Sequence, residues 1–222
     1  MSKIKNIIFD LGGVIVDLDT QRCMDGFHKL GLPEIAELIN PYHPAAMIGE
    51  MEHGDLTFHE MCDKMRAYVG RDDIRDEDIA WAYNQLLVGL DVKKLRLLDR
   101  LRKRGYKIYA LSNNNPMSIQ TVHGLFAQDG KTMEDYFDQM FLSFELRSLK
   151  PGREIYEKMI AMSGMRPEES LFLDDSEVNV NVARELGFSV YKPEVGEDFA
   201  PIFDHMELFE EAAAEDGCCC RK

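Results

Sequence analysis

The sequence predicts an α/β protein: a Rossmann-like, doubly wound parallel sheet with an inserted helical domain. Three observations carry this. Short apolar runs ended by turn residues recur along the chain, as strands buried on both faces require. Stretches with apolar residues at three- and four-residue spacing lie between them, and strand–helix alternation builds a parallel sheet with helices on both faces. One long region after the first run shows helical spacing alone.

The first strand is residues 4–9, running directly into Asp10-Leu11-Gly12-Gly13. From about Asp19 to Leu90 no strand is expected. Helical pieces are predicted at 21–30, 33–40, 44–53, 57–69 and 76–88, with Leu, Met, Ile and Trp81 at helical spacing. So much helix cannot all cover the sheet, so a small separate helical domain is expected. Met47, Met51, Met61 and Met65 fall at four-residue steps, a core pattern. Past the insert, 91–104 carries Val92, Leu95, Leu98 and Leu101, with Gly105 as a left-handed stop. Strands at 106–111, 139–142, 170–173 and 188–191 follow, with helices at 154–162 and 178–186. The resulting division is a core of residues 1–18 and 91–205, an insert of 19–90, and a helix end and tail of 206–222.

Composition narrows the function. The 222 residues are 45% apolar, and 26 Lys and Arg stand against 40 Asp and Glu, a net charge of −14. That balance argues against nucleic-acid partners, which need a basic face, and against anionic membrane surfaces. No run approaches the roughly 18 uninterrupted apolar residues of a membrane span, and the N-terminal segment does not read as a signal peptide. The five cysteines are Cys23, Cys62 and the run Cys218-Cys219-Cys220. They match neither a disulfide framework nor a zinc site, and the terminal run reads as a frayed tail. A reducing, cytoplasmic compartment and a monomer are the expectations.

In a doubly wound sheet, ligands bind at the C-terminal ends of the strands. Those ends carry Asp10-Leu11-Gly12-Gly13, Ser112-Asn113-Asn114-Asn115, Lys150-Pro151 and Asp174-Asp175-Ser176. Carboxylate oxygens and backbone carbonyls suit Mg²⁺. A carboxylate beside Mg²⁺ and an ammonium can attack phosphorus, because the cations screen its repulsion from phosphate. Each piece has a plainer reading. An Asp ending a buried strand often serves as a turn residue or N-cap. Ser112 alone reads as a cap or loop residue and Lys150 alone as a surface charge. The adjacent Asp174-Asp175 pair repels itself unless a cation is near; otherwise one of the two caps the next helix.

In this order, the segments IIFDLGGVIVDLD, LSNNN, LKPGREIY and LFLDDSEVNVNVA resemble motifs I to IV of the haloacid dehalogenase superfamily, over about residues 4–192. The insert resembles that family's C1-type cap. The opening FDLGGVIVDLDTQR is most similar to a bacterial branch of sugar-phosphate phosphatases that includes an α-D-glucose-1-phosphate phosphatase. The resemblance implies a Mg²⁺-dependent phosphatase acting on a small phosphorylated metabolite through an aspartyl-phosphate. It implies Asp10 as nucleophile; the Gly12 carbonyl, Asp10 and Asp175 on Mg²⁺, with Asp174 directly or through water; Ser112 and the Asn113 amide on the phosphoryl oxygens; and Lys150 neutralising both nucleophile and phosphoryl group. Asn179 is expected to tie motif IV to the motif I loop or to face a helix end. Arg22 is a candidate substrate contact; its plainer reading is a helix-surface charge paired with Asp19 or Asp25.

One position departs from the pattern. Phosphatases of the family usually carry a second Asp two residues after the nucleophile, and here that residue is Gly12. A missing general acid/base costs about 10²–10⁴ in rate. Asp17, Asp19, His28 and His53 are the substitutes considered. A non-catalytic phosphometabolite-binding protein is the alternative reading. A dehalogenase fits less well, since that chemistry leaves Asp174-Asp175 unexplained. His43, His53 and His59 lack metal-ligand spacing and read as polar packing or surface residues.

Overall fold

The computed structural model describes residues 3–39, 46–127 and 130–204. Its main sheet is built from β1 (Asn6–Phe9), β4 (Lys107–Ser112), β5 (Gln139–Leu142), β6 (Ser170–Leu173) and β7 (Ser189–Tyr191). The strands are all parallel, in the order β5-β4-β1-β6-β7. β1 is central, and all four of its residues are buried. Its side chains alternate between faces. Ile7 and Phe9 join one apolar cluster with Leu95, Leu98, Leu101, Ile108 and Phe126. Ile8 joins another with Leu111, Ile155, Tyr156, Phe172 and Val180. Both faces are therefore covered, which is why the strand sequences are continuously apolar.

The covering helices include α6 (Val92–Lys103), α7 (Pro116–Phe126), α10 (Arg153–Ser163) and α11 (Glu177–Glu185). Asp91 caps α6 by accepting from the Lys93 amide, and Arg100, Arg102 and Lys103 sit in its last turn, where the helix dipole favours cations. Short helices α8 (Met133–Tyr136) and α9 (Ser143–Leu146) flank β5. Helices at 91–104, 154–162 and 178–186 are found within one or two residues of the expected bounds. α7 is an addition: Asn115, expected only as a strand-end loop residue, is also its N-cap, with Pro116 in the first turn.

The insert holds α1 (Thr20–Lys29), α2 (Pro33–Ala36), α3 (Ala46–His53), α4 (Phe58–Val69) and α5 (Asp76–Asn84). A third apolar cluster lies within it, including Cys23, Phe27, Ile35, Ile48, Met51, Met61, Cys62, Met65 and Ile79. Met51, Met61 and Met65 are core residues as expected, with Met47 packed against them. Burial pushes the Cys23 and Cys62 thiols up to about 12, so both act as small apolar groups. α4 opens on a capping box between Thr57 and Glu60.

Three expectations fail in the insert. The helix predicted over 76–88 stops at Asn84, and Leu87–Gly89 forms a strand, β3, where none was expected. β3 pairs antiparallel with β2 (Asp17–Leu18). Such short strands are too brief to show a period-two pattern and exist only because the two ends of the insert meet. Trp81, predicted in the apolar pattern, is 44% exposed. The helix predicted over 33–40 ends at Ala36, with turn residues after it. The start of the one predicted over 44–53, and the tail with its three cysteines, lie outside the described residues. No helix among the described residues is long and apolar enough to cross a membrane.

Candidate active site

Register builds the site. Phe9 lies opposite Ala110 on one side and Leu173 on the other. The next residues, Asp10, Leu111 and Asp174, therefore meet at the same level. The Asp10 amide donates to the Leu173 carbonyl at 2.8 Å, extending the ladder one residue past β1. The chain then turns back on itself, with the Gly13 amide donating to the Val16 carbonyl at 2.9 Å. Gly13 has φ +77°, and a Cβ there would lie 2.2 Å from Asp175 Oδ2. Glycine at this position lets the Asp175 carboxylate press against the loop that follows Asp10.

Lys150 is the hub. Its ammonium lies 2.9 Å from Asp10 Oδ2 and 2.6 Å from Asp174 Oδ2, and it donates to the Leu111 carbonyl at 3.0 Å. Its main chain is held by Asn113, whose side-chain amide donates to the Lys150 carbonyl and accepts from the Lys150 amide, both at 2.9 Å. Phe172 lies beneath the ammonium at 5.8 Å. Burial pulls the Lys150 pKa down, but the Asp10 and Asp174 carboxylates outweigh it and hold the ammonium charged. Lys150 is 4% exposed, so its reading as a surface charge fails.

The carboxylates differ in what remains open on them. Asp174 is fully buried, and both oxygens are engaged. Oδ1 accepts from the Ser176 amide and Asn179 Nδ2, both at 2.9 Å. Oδ2 accepts from Lys150, with Asn179 Nδ2 at 3.1 Å. Asn179 thus orients Asp174 rather than reaching the loop after Asp10. Asp10 Oδ1 accepts from the Leu11 amide at 2.7 Å. Burial, with the nearby Asp174 and Asp175 charges, pushes Asp10 up to about 7 against the downward pull of Lys150. Oxygens of Asp10, Asp174 and Asp175 lie within 4.8 Å of one another. Three carboxylates facing one ammonium leave an excess of negative charge, and hard oxygen donors at this spacing fit a magnesium ion.

Ser112 ends β4 at 2% exposure, its hydroxyl making only a long 3.3 Å contact to the Asn113 carbonyl. It ends the strand next to β1, beside the cluster. Gly12 forms a bridge with Val16. Where a side chain would begin at Gly12, Leu18 Cδ1 lies 3.1 Å away. Arg22 is not brought to the cluster: it is exposed in the first turn of α1, with its amide donating to Asp19. Nor is it paired as expected, since Asp25 accepts from Gln21.

Among the proposed proton carriers, Asp17 pairs with Lys94 at 2.7 Å and Asp19 caps α1. His28 is exposed near the end of α1, and His53 pairs with Asp55 at 2.8 Å. Sequence reasoning passed over another acid that Lys150 influences electrostatically. Glu52, in the last turn of α3, hydrogen-bonds Tyr83 and lies within electrostatic reach of the ammonium. Its only signal in the sequence is an acid just before the Gly54 turn, one among 40.

Comparison with known proteins agrees with this geometry. The haloacid dehalogenase-like hydrolase profile matches residues 4–187. A D-ribitol-5-phosphate phosphatase of Bacteroides thetaiotaomicron is 37% identical over 197 residues, covering 88% of this chain and 95% of the relative. A family enzyme of the same organism, solved with magnesium and inorganic phosphate, is 38% identical over 90% of this chain and 99% of its own, with a TM-score of 0.84. A HAD-like hydrolase structure from Porphyromonas gingivalis is 32% identical, covers 91% of this chain and 97% of its own, and has a TM-score of 0.84. An L-2-haloacid dehalogenase of Xanthobacter autotrophicus shares the fold at 22% identity and a TM-score of 0.56, covering 85% of this chain and 77% of its own. With Asp10, Ser112, Lys150 and Asp174 gathered at adjoining strand ends and a profile that spans most of the sequence, the chain belongs to the haloacid dehalogenase-like hydrolase family.

Proposed function

We propose that the protein is a Mg²⁺-dependent phosphatase that hydrolyses a small phosphorylated metabolite, of the sugar- or polyol-phosphate class, through an aspartyl-phosphate on Asp10. The observation that carries this reading is the buried cluster in which Lys150 touches both Asp10 and Asp174 while Asp175 closes the third side. The relative that acts on D-ribitol 5-phosphate and the magnesium–phosphate complex of a similar enzyme support it.

Asp10, Asp175 and the Gly12 carbonyl would hold Mg²⁺, with Asp174, its oxygens already engaged, reaching it through water. Mg²⁺ supplies positive charge that offsets the repulsion between a carboxylate nucleophile and a phosphate. Lys150 favours the ionised form of Asp10 and orients it, and offers its charge to the phosphoryl oxygens. Ser112 and the Asn113 amide donate to those oxygens as the phosphoryl group moves. Asp174 fixes Lys150, and Asn179 fixes Asp174.

A screen of phosphate monoesters with and without Mg²⁺ tests the reading. Phosphate release from sugar or polyol phosphates that requires the metal is the expected result. No release from any ester, including 4-nitrophenyl phosphate, overturns it. Binding of sugar phosphates without binding of beryllofluoride, which mimics an aspartyl-phosphate, would instead favour a non-catalytic binding protein.

A further inference from the structure

Expelling an alkoxide from a phosphate monoester requires a proton, and hydrolysing an acyl-phosphate requires a base for water. The core supplies neither cleanly. Asp10 is committed to phosphorus. Both oxygens of Asp174 are engaged by Lys150, Ser176 and Asn179. Asp175 faces the loop at Gly13. Position 12, from which a side chain could reach the leaving group, is glycine.

We propose that Glu52, carried by the helical insert, is the general acid/base of this reaction. The assignment rests on the phosphatase reading above.

The geometry around Glu52 is built, not incidental. Its carbonyl accepts from Ser143 Oγ at 2.6 Å, and Ser143 Oγ in turn accepts from the Asn114 amide at 3.0 Å. Glu52 is thereby tied, through one hydroxyl, to the loop that carries Ser112 and Asn113. Two residues on, Gly54 has φ +88°, and a Cβ there would lie 2.4 Å from the Phe144 carbonyl oxygen. Next, Asp55 accepts from Arg147 at 2.7 Å. Arg147 holds a left-handed φ of 49°, a conformation that needs such support. Residues 52–55 are thus clasped onto α9 at the end of β5.

The side chain points to the same role. Glu52 keeps some accessible surface, yet its carboxyl group lies deep among protein atoms, the combination expected of a group lining a cleft. The groups facing it are the Tyr83 hydroxyl from α5, with Cys23 of α1 beside that hydroxyl, and the Lys150 ammonium from the core. Burial raises its pKa while Tyr83 and Lys150 pull it down, leaving it at about 7. A group so poised is half protonated near neutrality and serves in both directions.

The steps balance. Asp10 Oδ forms a bond to phosphorus, the P–O bond to the alcohol breaks, and the Glu52 proton passes to the departing oxygen. The Glu52 carboxylate then takes a proton from water as the water oxygen bonds phosphorus and the Asp10–phosphorus bond breaks. The products are alcohol, phosphate, ionised Asp10 and protonated Glu52, the starting state.

The test compares Glu52→Gln with the wild type, both with Mg²⁺, in single-turnover release of the leaving group from D-ribitol 5-phosphate and from 4-nitrophenyl phosphate. The alkyl ester should lose about 10²–10⁴-fold in rate, while nitrophenolate, stable without a proton, should change by less than about tenfold. The alkaline limb of the alkyl pH–rate profile should vanish with the carboxyl group. Should Glu52→Gln fail to fold, Glu52→Asp keeps the acid, and its loss should likewise fall on the alkyl ester. Equal losses on both esters, or no loss on the alkyl ester, overturn the assignment. A wild type inactive on both esters overturns the phosphatase reading itself, and the assignment of Glu52 with it.

Discussion

The strand ends of the core and the turn at residues 52–55 of the insert face one another, but they are held by different physics. In the core, Asp10, Ser112 and Asp174 are placed by strand register. Parallel ladders bring Phe9, Ala110 and Leu173 level, so the following residues have no freedom to diverge. In the insert, Glu52 is placed by a few contacts across an interface: a serine hydroxyl, a glycine pressed on a carbonyl, and an exposed ion pair. Phosphoryl transfer tolerates little error at the nucleophile, and the proposed one, Asp10, sits at the end of the central buried strand. If the insert closes over the strand ends as a cap, a few local contacts of this kind suit an element that opens and shuts.

Breaking the core should have the largest effect. Asp10→Asn removes the proposed nucleophile and should lower turnover by at least about 10⁴-fold on every ester, whatever its leaving group. Steady-state phosphate release measures this, and loss on alkyl esters alone would shift the nucleophile elsewhere.

Breaking the clasp should cost less and more selectively. Gly54→Ala forces a side chain against the Phe144 carbonyl at a positive φ, at a cost of about 1–3 kcal/mol. Displacing Glu52 by that route should lower alkyl-ester turnover by up to about 10²-fold while sparing 4-nitrophenyl phosphate. A loss shared equally between the esters would mean that the clasp positions substrate rather than a proton carrier.

The smallest effect concerns stability and separates the two regions by pH. Asp10 and Glu52 both have pKa values raised to about 7 in the folded protein, from ordinary values of 3.8 and 4.5. A raised acid binds its proton more tightly when folded, so its stabilising share is complete below the unfolded pKa and is lost as pH rises through about 7. The metal-free protein should therefore lose thermal stability between about pH 4 and pH 7. Mg²⁺ should restore the share of Asp10, more at pH 8 than at pH 5.5, and leave that of Glu52. Glu52→Gln should flatten the remaining slope. Thermal melts across pH with and without Mg²⁺ read all three, and a metal effect equal at both pH values would remove Asp10 from the metal site.

Much of this is legible in the amino-acid sequence alone. The strands over 139–142 and 170–173 coincide with the predicted runs, because a short apolar segment ended by a turn has few other places to go in an α/β protein. The acids and the lysine at their ends were legible for the same reason. β3 was not, because Leu87–Gly89 is a strand only by virtue of meeting Asp17–Leu18. Arg22 had two readings in the sequence, and its exposed place in the first turn of α1 agrees with the plainer one, a helix-surface charge.

The sequence by itself determined the alternation of strand and helix, the order of the four strand-end motifs and the glycine at position 12. These are local properties, set by apolar runs, turn residues and spacing. Only the tertiary structure decided that Asp174 has its oxygens occupied, that Gly13 makes room for Asp175, and that Glu52 comes within electrostatic reach of Lys150. Burial and the charges of distant neighbours set the pKa of a carboxyl group and the bonds left open on it. Neither exists until residues far apart in the chain are packed together.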